Sequence, residues 1–230
     1  LIIPFLIPFL FIMAIGPKLD WIKNKTFDAK FTKIILLILS ILISYLIAKN
    51  FNTQVLYSTL LISAALYLFF ISITDLKNEK LKLSQKISHT AFSILIISII
   101  LNSLFSEEVS VNLKKGEEKQ LSNYLLKFEN ISKMEIDNFT SLKAEIHVIH
   151  NDNKLKFYPE LRLYKVPETI TSEAAIKTSL FSDNLVVVNY LKDTNYLNIR
   201  YQKKPFMLLI WLSAIMLAVG GLIGLKKNFK

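Results

Sequence analysis

The chain has 230 residues, 52% of them hydrophobic and 20% charged, with a net charge of +10 and no cysteine. A mean hydropathy of +0.40 is too high for an ordinary water-soluble domain, and the charge is too abundant for membrane spans alone. The composition therefore implies several spans plus one water-facing domain, and it excludes disulfides and thiolate metal sites.

Taken in chain order, the first apolar segment is LIIPFLIPFLFIMAIGP, residues 1–17. It lacks the basic leader and small-residue cleavage site of a signal peptide, and it carries Pro4 and Pro8, so it reads as a span. Its start at Leu1 implies an unusual start codon or a piece of a longer chain. The second apolar run covers residues 34–48, the third 53–73 and the fourth 87–105. About 20 residues at 1.5 Å each are needed to cross roughly 30 Å of hydrocarbon. The second run is short of that, by an amount that tilt or local thinning absorbs.

Residues 106–204 change character to alternating patterns. The segments 143–150 and 154–164, joined by Asn-Asp-Asn, read as one hairpin. Segments 184–192 and 196–202, joined by Asp-Thr-Asn, read as a second. Residues 109–113 and 121–130 read as further strands separated by the turn-like KKGEEKQ, and residues 171–181 as a short helix opened by a Thr/Ser-acid signal. About 100 residues suffice for one compact β-rich core, a small barrel or a sandwich. The last apolar run, residues 205–225, is the fifth span. The expected architecture is a polytopic α-helical membrane protein of about five spans with one extracytoplasmic β-rich domain. Its divisions fall at 1–105, 106–204 and 205–230.

The charge is arranged by side. Residues 18–33 hold five lysines, residues 75–86 four and residues 226–230 three, whereas the loop 49–52 holds only Lys49. Alternate connections are thus lysine-rich, which places them and the C-terminus in the cytoplasm and residues 106–204 outside. The outer region has 15 Lys/Arg against 14 Asp/Glu, too balanced to form the basic face that DNA or RNA requires. No nucleic-acid partner is expected; the lipid bilayer is.

Three histidines are candidates for chemistry. His147 and His150, three apart on a strand, face opposite sides and cannot share one metal; they read as ordinary strand residues. No Ser/His/Asp set, HExxH or phosphate-binding glycine loop is present. His89 stands in the first turns of the fourth span, three residues beyond Lys86, on a face continuing through Phe92, Ser93, Ile96 and Ile100. An ionisable group inside a span is a functional candidate, and a neutral imidazole ligates iron while its second nitrogen donates a hydrogen bond. Position alone leaves two readings open, a membrane-interface histidine and a cofactor ligand.

Scattered residues narrow this. FLIPFLFIMAIGP (5–17) followed by Trp21, the pair Ser88-His89, PELRLY (159–164), SEAAI (172–176) and KPFMLLIWLSAIMLAVGG (204–221) occur in that order. Together with the five-span layout they resemble the C-terminal half of the CcmF family, the membrane haem lyases of system I cytochrome c maturation. The resemblance implies that His89 is an axial ligand of a haem b buried in the membrane. It implies as partners an N-terminal half or other lyase subunits, a haem chaperone and apocytochrome c. It also implies a place in the inner membrane with residues 106–204 periplasmic, or the mitochondrial inner-membrane equivalent. Ala91 stands where the family has a glycine. The family's tryptophan-rich haem-handling segment, its flanking histidines and the other membrane-haem histidine belong to the N-terminal half and have no counterpart here; the only tryptophans are Trp21 and Trp211. Residues 89 and 105 are roughly 24 Å apart along a helix, so His147 and His150, beyond that end, cannot ligate the same iron. A second histidine ligand would come from a partner chain or an upstream half. The competing class is a membrane-anchored β-domain that binds a partner protein without a cofactor. A transporter fits poorly, since no span carries paired acids or a continuous small-residue face.

Overall fold

In the computed structural model, residues 3–16, 30–51, 55–77, 81–151, 153–191 and 195–226 are described. Most of the basic segment 18–33, including Trp21, lies outside them, as do the tail 227–230 and parts of both Asx-rich turns. The chain divides into two compact units, residues 1–104 with 207–230, and residues 105–206.

The first unit is helical. Helices α1 (Ile3–Ile15), α2 (Lys30–Asn50), α3 (Val55–Leu76), α4 (Leu83–Phe105) and α5 (Met207–Lys226) form from the apolar runs. Four of them, α2 to α5, are long and apolar enough to cross a membrane. The 13 residues of α1 reach only about 20 Å, short of a bilayer core. Its buried Leu10 and Ala14 pack with Ala64, Ala65, Tyr67, Leu68 and Ile71 of α3, and Phe92, Ile96 and Ile100 of α4 close over that cluster. Serines within the apolar helices return their hydroxyl protons to their own helix, as in Ser40 to Leu36 O at 2.7 Å and Ser93 to Thr90 O at 2.8 Å. Such bonds let polar side chains sit away from water.

The second unit is a β-sandwich, with ten strands among its described residues. One sheet runs in the order β1 (Glu107–Leu113), β10 (Leu197–Pro205), β9 (Ser182–Tyr190), β8 (Ala175–Thr178). The other runs β2 (Glu118–Leu121), β3 (Tyr124–Ile136), β4 (Phe139–His150), β6 (Glu160–Lys165), β7 (Glu168–Glu173), with β5 (Asn153–Phe157) also on β4. Every pairing is antiparallel. Alternate residues point inward: Val111, Val186, Val188, Ile199 and Tyr201 from one sheet meet Leu126, Phe128, Ile146, Val148, Phe157 and Leu161 from the other. The strand expected over 154–164 is split at buried Pro159, which has no N–H to give the ladder. Its carbonyl still accepts from Ala144 N at 3.0 Å, so β5 and β6 follow one another along the same edge of β4.

Two expectations are corrected. KKGEEKQ is a turn only at its start, since β2 begins at Glu118. Residues 171–181 are not a helix: they hold the end of β7, all of β8 and the turn beyond it. The Ser172 hydroxyl, which as a cap would serve a helix, bonds Val188 O at 2.8 Å and Asn189 Oδ1 at 2.7 Å. It ties the two sheets together, so tertiary pairing overrides a weak local signal.

Candidate functional site

The turn between α3 and α4 is short, so the last turn of α3 lies beside the first turns of α4. Lys86 Nζ donates to Leu76 O at 3.1 Å, which binds an orphan carbonyl at the end of α3. His89 is one turn further into α4 and half-buried. It lines a small cleft with Ser72 and Asp75 of α3, Leu81 of the turn, and Gln85 and Lys86 of α4. The space between them is about 10 Å³, room for roughly one water. The Ser72 hydroxyl at this cleft is buried without a hydrogen-bond partner.

The opposite flank is set by small residues. Gly220 and Gly224 of α5 lie four apart, facing Ser88 and Ser84 of α4. A methyl group at Gly220 would collide with the Ser88 hydroxyl and lie 3.1 Å from Ser88 N, backbone that cannot rotate away. Small residues spaced by four let helix backbones approach closely in an apolar medium. Ala91 is fully buried. His89 is therefore fixed between a close helix crossing on one side and a polar cleft on the other.

The face proposed from spacing divides. Phe92, Ile96 and Ile100 pack towards the α1–α3 cluster, with Phe92 edge-on to Phe9 at 6.0 Å, and Ser93 is buried. His89, at the α3–α4 end, meets polar groups instead.

The other two histidines lie in the sandwich. His147 is on the outer face of β4 yet buried, with Nδ1 3.1 Å from Glu129 and Nε2 3.0 Å from Glu145. His150 stacks on Tyr124 at 4.6 Å between centroids and its Nδ1 is 2.9 Å from Asn123 O. Among the described residues no three His, Asp or Glu converge as a metal site. Next to the stacked pair, Tyr124 donates to Glu107 at 2.5 Å and Tyr201 donates to Asn184 at 2.8 Å. Burial is the main cause that pushes the Tyr124 phenol well above its ordinary range and the Tyr201 phenol up to about 12. This hydroxyl layer was not foreseen; its only sequence signal is a tyrosine at an inward-facing position.

Comparison with known proteins follows the same division. Residues 104–205 match the family described as the CcmF C-terminal beta-sandwich. The CcmF proteins of Haemophilus influenzae and Escherichia coli are 25% and 23% identical over 94% and 95% of this chain. The chain is related to the C-terminal portion of CcmF. A Pseudomonas fluorescens CcmF is 29% identical over 60% of the chain. The solved structure of a cytochrome c haem lyase CcmF superposes over 96% of the chain with a TM-score of 0.74 at 12% identity, so the fold is shared. This chain spans about a third of those relatives: 36% and 35% of the two longer matches and 39% of the solved chain.

Proposed function

We propose that this chain acts in cytochrome c maturation as the C-terminal part of a membrane haem lyase, and that His89 is one axial ligand of a b-type haem shared with a partner chain or an N-terminal half. The observation that carries the reading is the relation of nearly all of this chain to one part of proteins named CcmF, combined with a half-buried imidazole at the start of a helix long enough to span a membrane.

The residues around His89 suit one ligand and not an enclosure. A drug-sized or larger ligand occupies several hundred Å³, whereas the cleft has about 10 Å³. His89 would hold the haem from this chain, and the remaining ligands would come from the partner. When bound, the haem would supply a one-electron carrier whose potential is set by its axial ligands and burial, passing an electron to the substrate haem. The chain's own task is positional. One ring nitrogen of His89 would hold the iron, and Asp75, which lines the same cleft, is an acceptor of the right chemistry for the proton on the second. The close crossing of α4 and α5 fixes the ring's height.

On this reading residues 106–204 lie on the periplasmic side and the C-terminus in the cytoplasm, following the lysine asymmetry. The sandwich would face the haem chaperone and apocytochrome c. The joining of haem vinyl groups to CxxCH thiols would take place on the N-terminal half. The test is maturation of a c-type cytochrome in a bacterial strain lacking its lyase, supplied with this chain and a candidate N-terminal half as two genes. Covalent cytochrome c should form only when both are present. Formation with the N-terminal half alone would remove this chain from the reaction.

A further inference from the structure

The turn between β8 and β9 carries Leu180 and Phe181, adjacent apolar side chains that are 76% and 80% exposed. Single exposed apolar residues are common and need no explanation. This pair is distinguished by where its backbone is tied. Phe206 N donates to Phe181 O at 2.9 Å, and Ser182 pairs with Pro205 at the end of β10. Phe206 directly precedes α5, which begins at Met207 and is long and apolar enough to cross a membrane. The tip of the turn is therefore held within a hydrogen bond of the residue from which a span departs. Phe105, the last residue of α4, packs edge-on to Phe206 at 6.3 Å, so both helix connections leave the sandwich at this end.

The serines that flank the pair are bonded to each other. Ser179 N and Oγ both donate to Ser182 O, at 3.0 and 2.7 Å, and Ser182 N donates to Ser179 Oγ at 3.1 Å. The two serines bond one another while the two side chains between them are exposed. Phe206 itself has φ 62°, a conformation that costs a bulky residue about 1–2 kcal/mol. Its N–H bond to Phe181 and its ring contact with Phe105 hold it there, so the turn is tied to the last residue before α5.

We infer that Leu180 and Phe181 insert into the interfacial layer of the bilayer, anchoring the β8–β9 corner of the sandwich at a fixed depth beside the exit to α5. The ligand is the acyl-chain boundary of lipid. Lys177, Lys203 and Lys204 are balanced nearby by Glu107, Glu108 and Asp183, so insertion by apolar contact does not depend on anionic lipid or low salt. The inference rests on α5 crossing the membrane.

Because the chain contains no cysteine, single spin labels are unambiguous. Labels at Leu180→Cys and Phe181→Cys would be placed in the full chain reconstituted in phosphatidylcholine vesicles and read by collision with oxygen and with a water-soluble nickel chelate. Ile215→Cys, exposed on α5, calibrates the lipid. Met134→Cys, exposed on β3 beyond the opposite end of the sandwich, calibrates water. All four side chains are exposed, so folding is not threatened. The expected result is oxygen-dominated collision at 180 and 181, intermediate between 215 and 134, and unchanged at 1 M salt. Nickel-dominated collision at 181 with lipid-like collision at 215 overturns the anchor and leaves the spans standing. Protection from both reagents means that protein covers the turn, and also overturns it. Water-like collision at 215 sinks the membrane reading and the anchor together.

Discussion

Gly220 of α5 lies against Ser88 of α4, so two membrane-length helices approach closely one residue away from His89. That contact explains a glycine in the middle of a helix, where it costs roughly 1 kcal/mol relative to alanine in water. Gly220→Ala should force the helices apart, with an overpacking cost of about 1–3 kcal/mol. Gly221→Ala, whose methyl would meet nothing within 4 Å, should be neutral. The check is the thermal aggregation midpoint of each variant in detergent. Adding Ser88→Gly to the first variant should recover part of the loss.

Ser172 joins the two sheets through Val188 O and Asn189. Ser172→Ala should lower the stability of the sandwich by about 1 kcal/mol, the usual net worth of a hydrogen bond with some additional cost if Val188 O is left bare. Denaturant unfolding followed by near-ultraviolet absorbance measures it. If residues 171–181 were helical, the same change would raise helix propensity and leave the sheets untouched.

The tyrosine layer sets an alkaline limit. Tyr201 has its phenol raised to about 12, with burial the largest cause, and Tyr124 is raised further by burial and by its bond to Glu107. The folded state therefore holds these protons more tightly than the unfolded chain. The resulting stability is complete below the unfolded value of about 10 and is lost as pH rises through the folded values. Unfolding should set in between pH 10 and about 12, with ionisation of the two phenols coinciding with it. Tyr201→Phe should remove one late-titrating phenol at 295 nm and shallow the pH dependence in that window, with a loss of about 1 kcal/mol at neutral pH.

Much of the fold was legible because apolar run length and alternation are local signals. The runs that became α3, α4 and α5 needed no neighbour to be recognised, and the β9–β10 hairpin was marked by three valines before Asp-Thr-Asn and by Leu197 and Ile199 after it. What failed depended on distant partners. Residues 118–120 look like loop because all three side chains are charged or amide, yet together with Leu121 they pair with Tyr124–Lys127. Residues 171–181 carry a capping signal that the second sheet overrules. His89 was visible as an ionisable residue in a span. Its neighbours Ser72 and Asp75 were not, because they come from α3 and reach it only through the packing of the two helix ends. Ser88 and Gly220 both lie in segments that the resemblance picked out, and only the structure shows that they touch.

The central claim concerns His89, and the visible absorption spectrum of the purified complex between this chain and its N-terminal partner tests it most directly. The reduced complex should show b-type haem bands. His89→Gly should lose or shift them, and added imidazole should restore them, since the free ligand can occupy the space left by the ring. Bands that are unchanged in His89→Gly, with haem still bound at full occupancy, would contradict the claim and assign the iron wholly to the other chain.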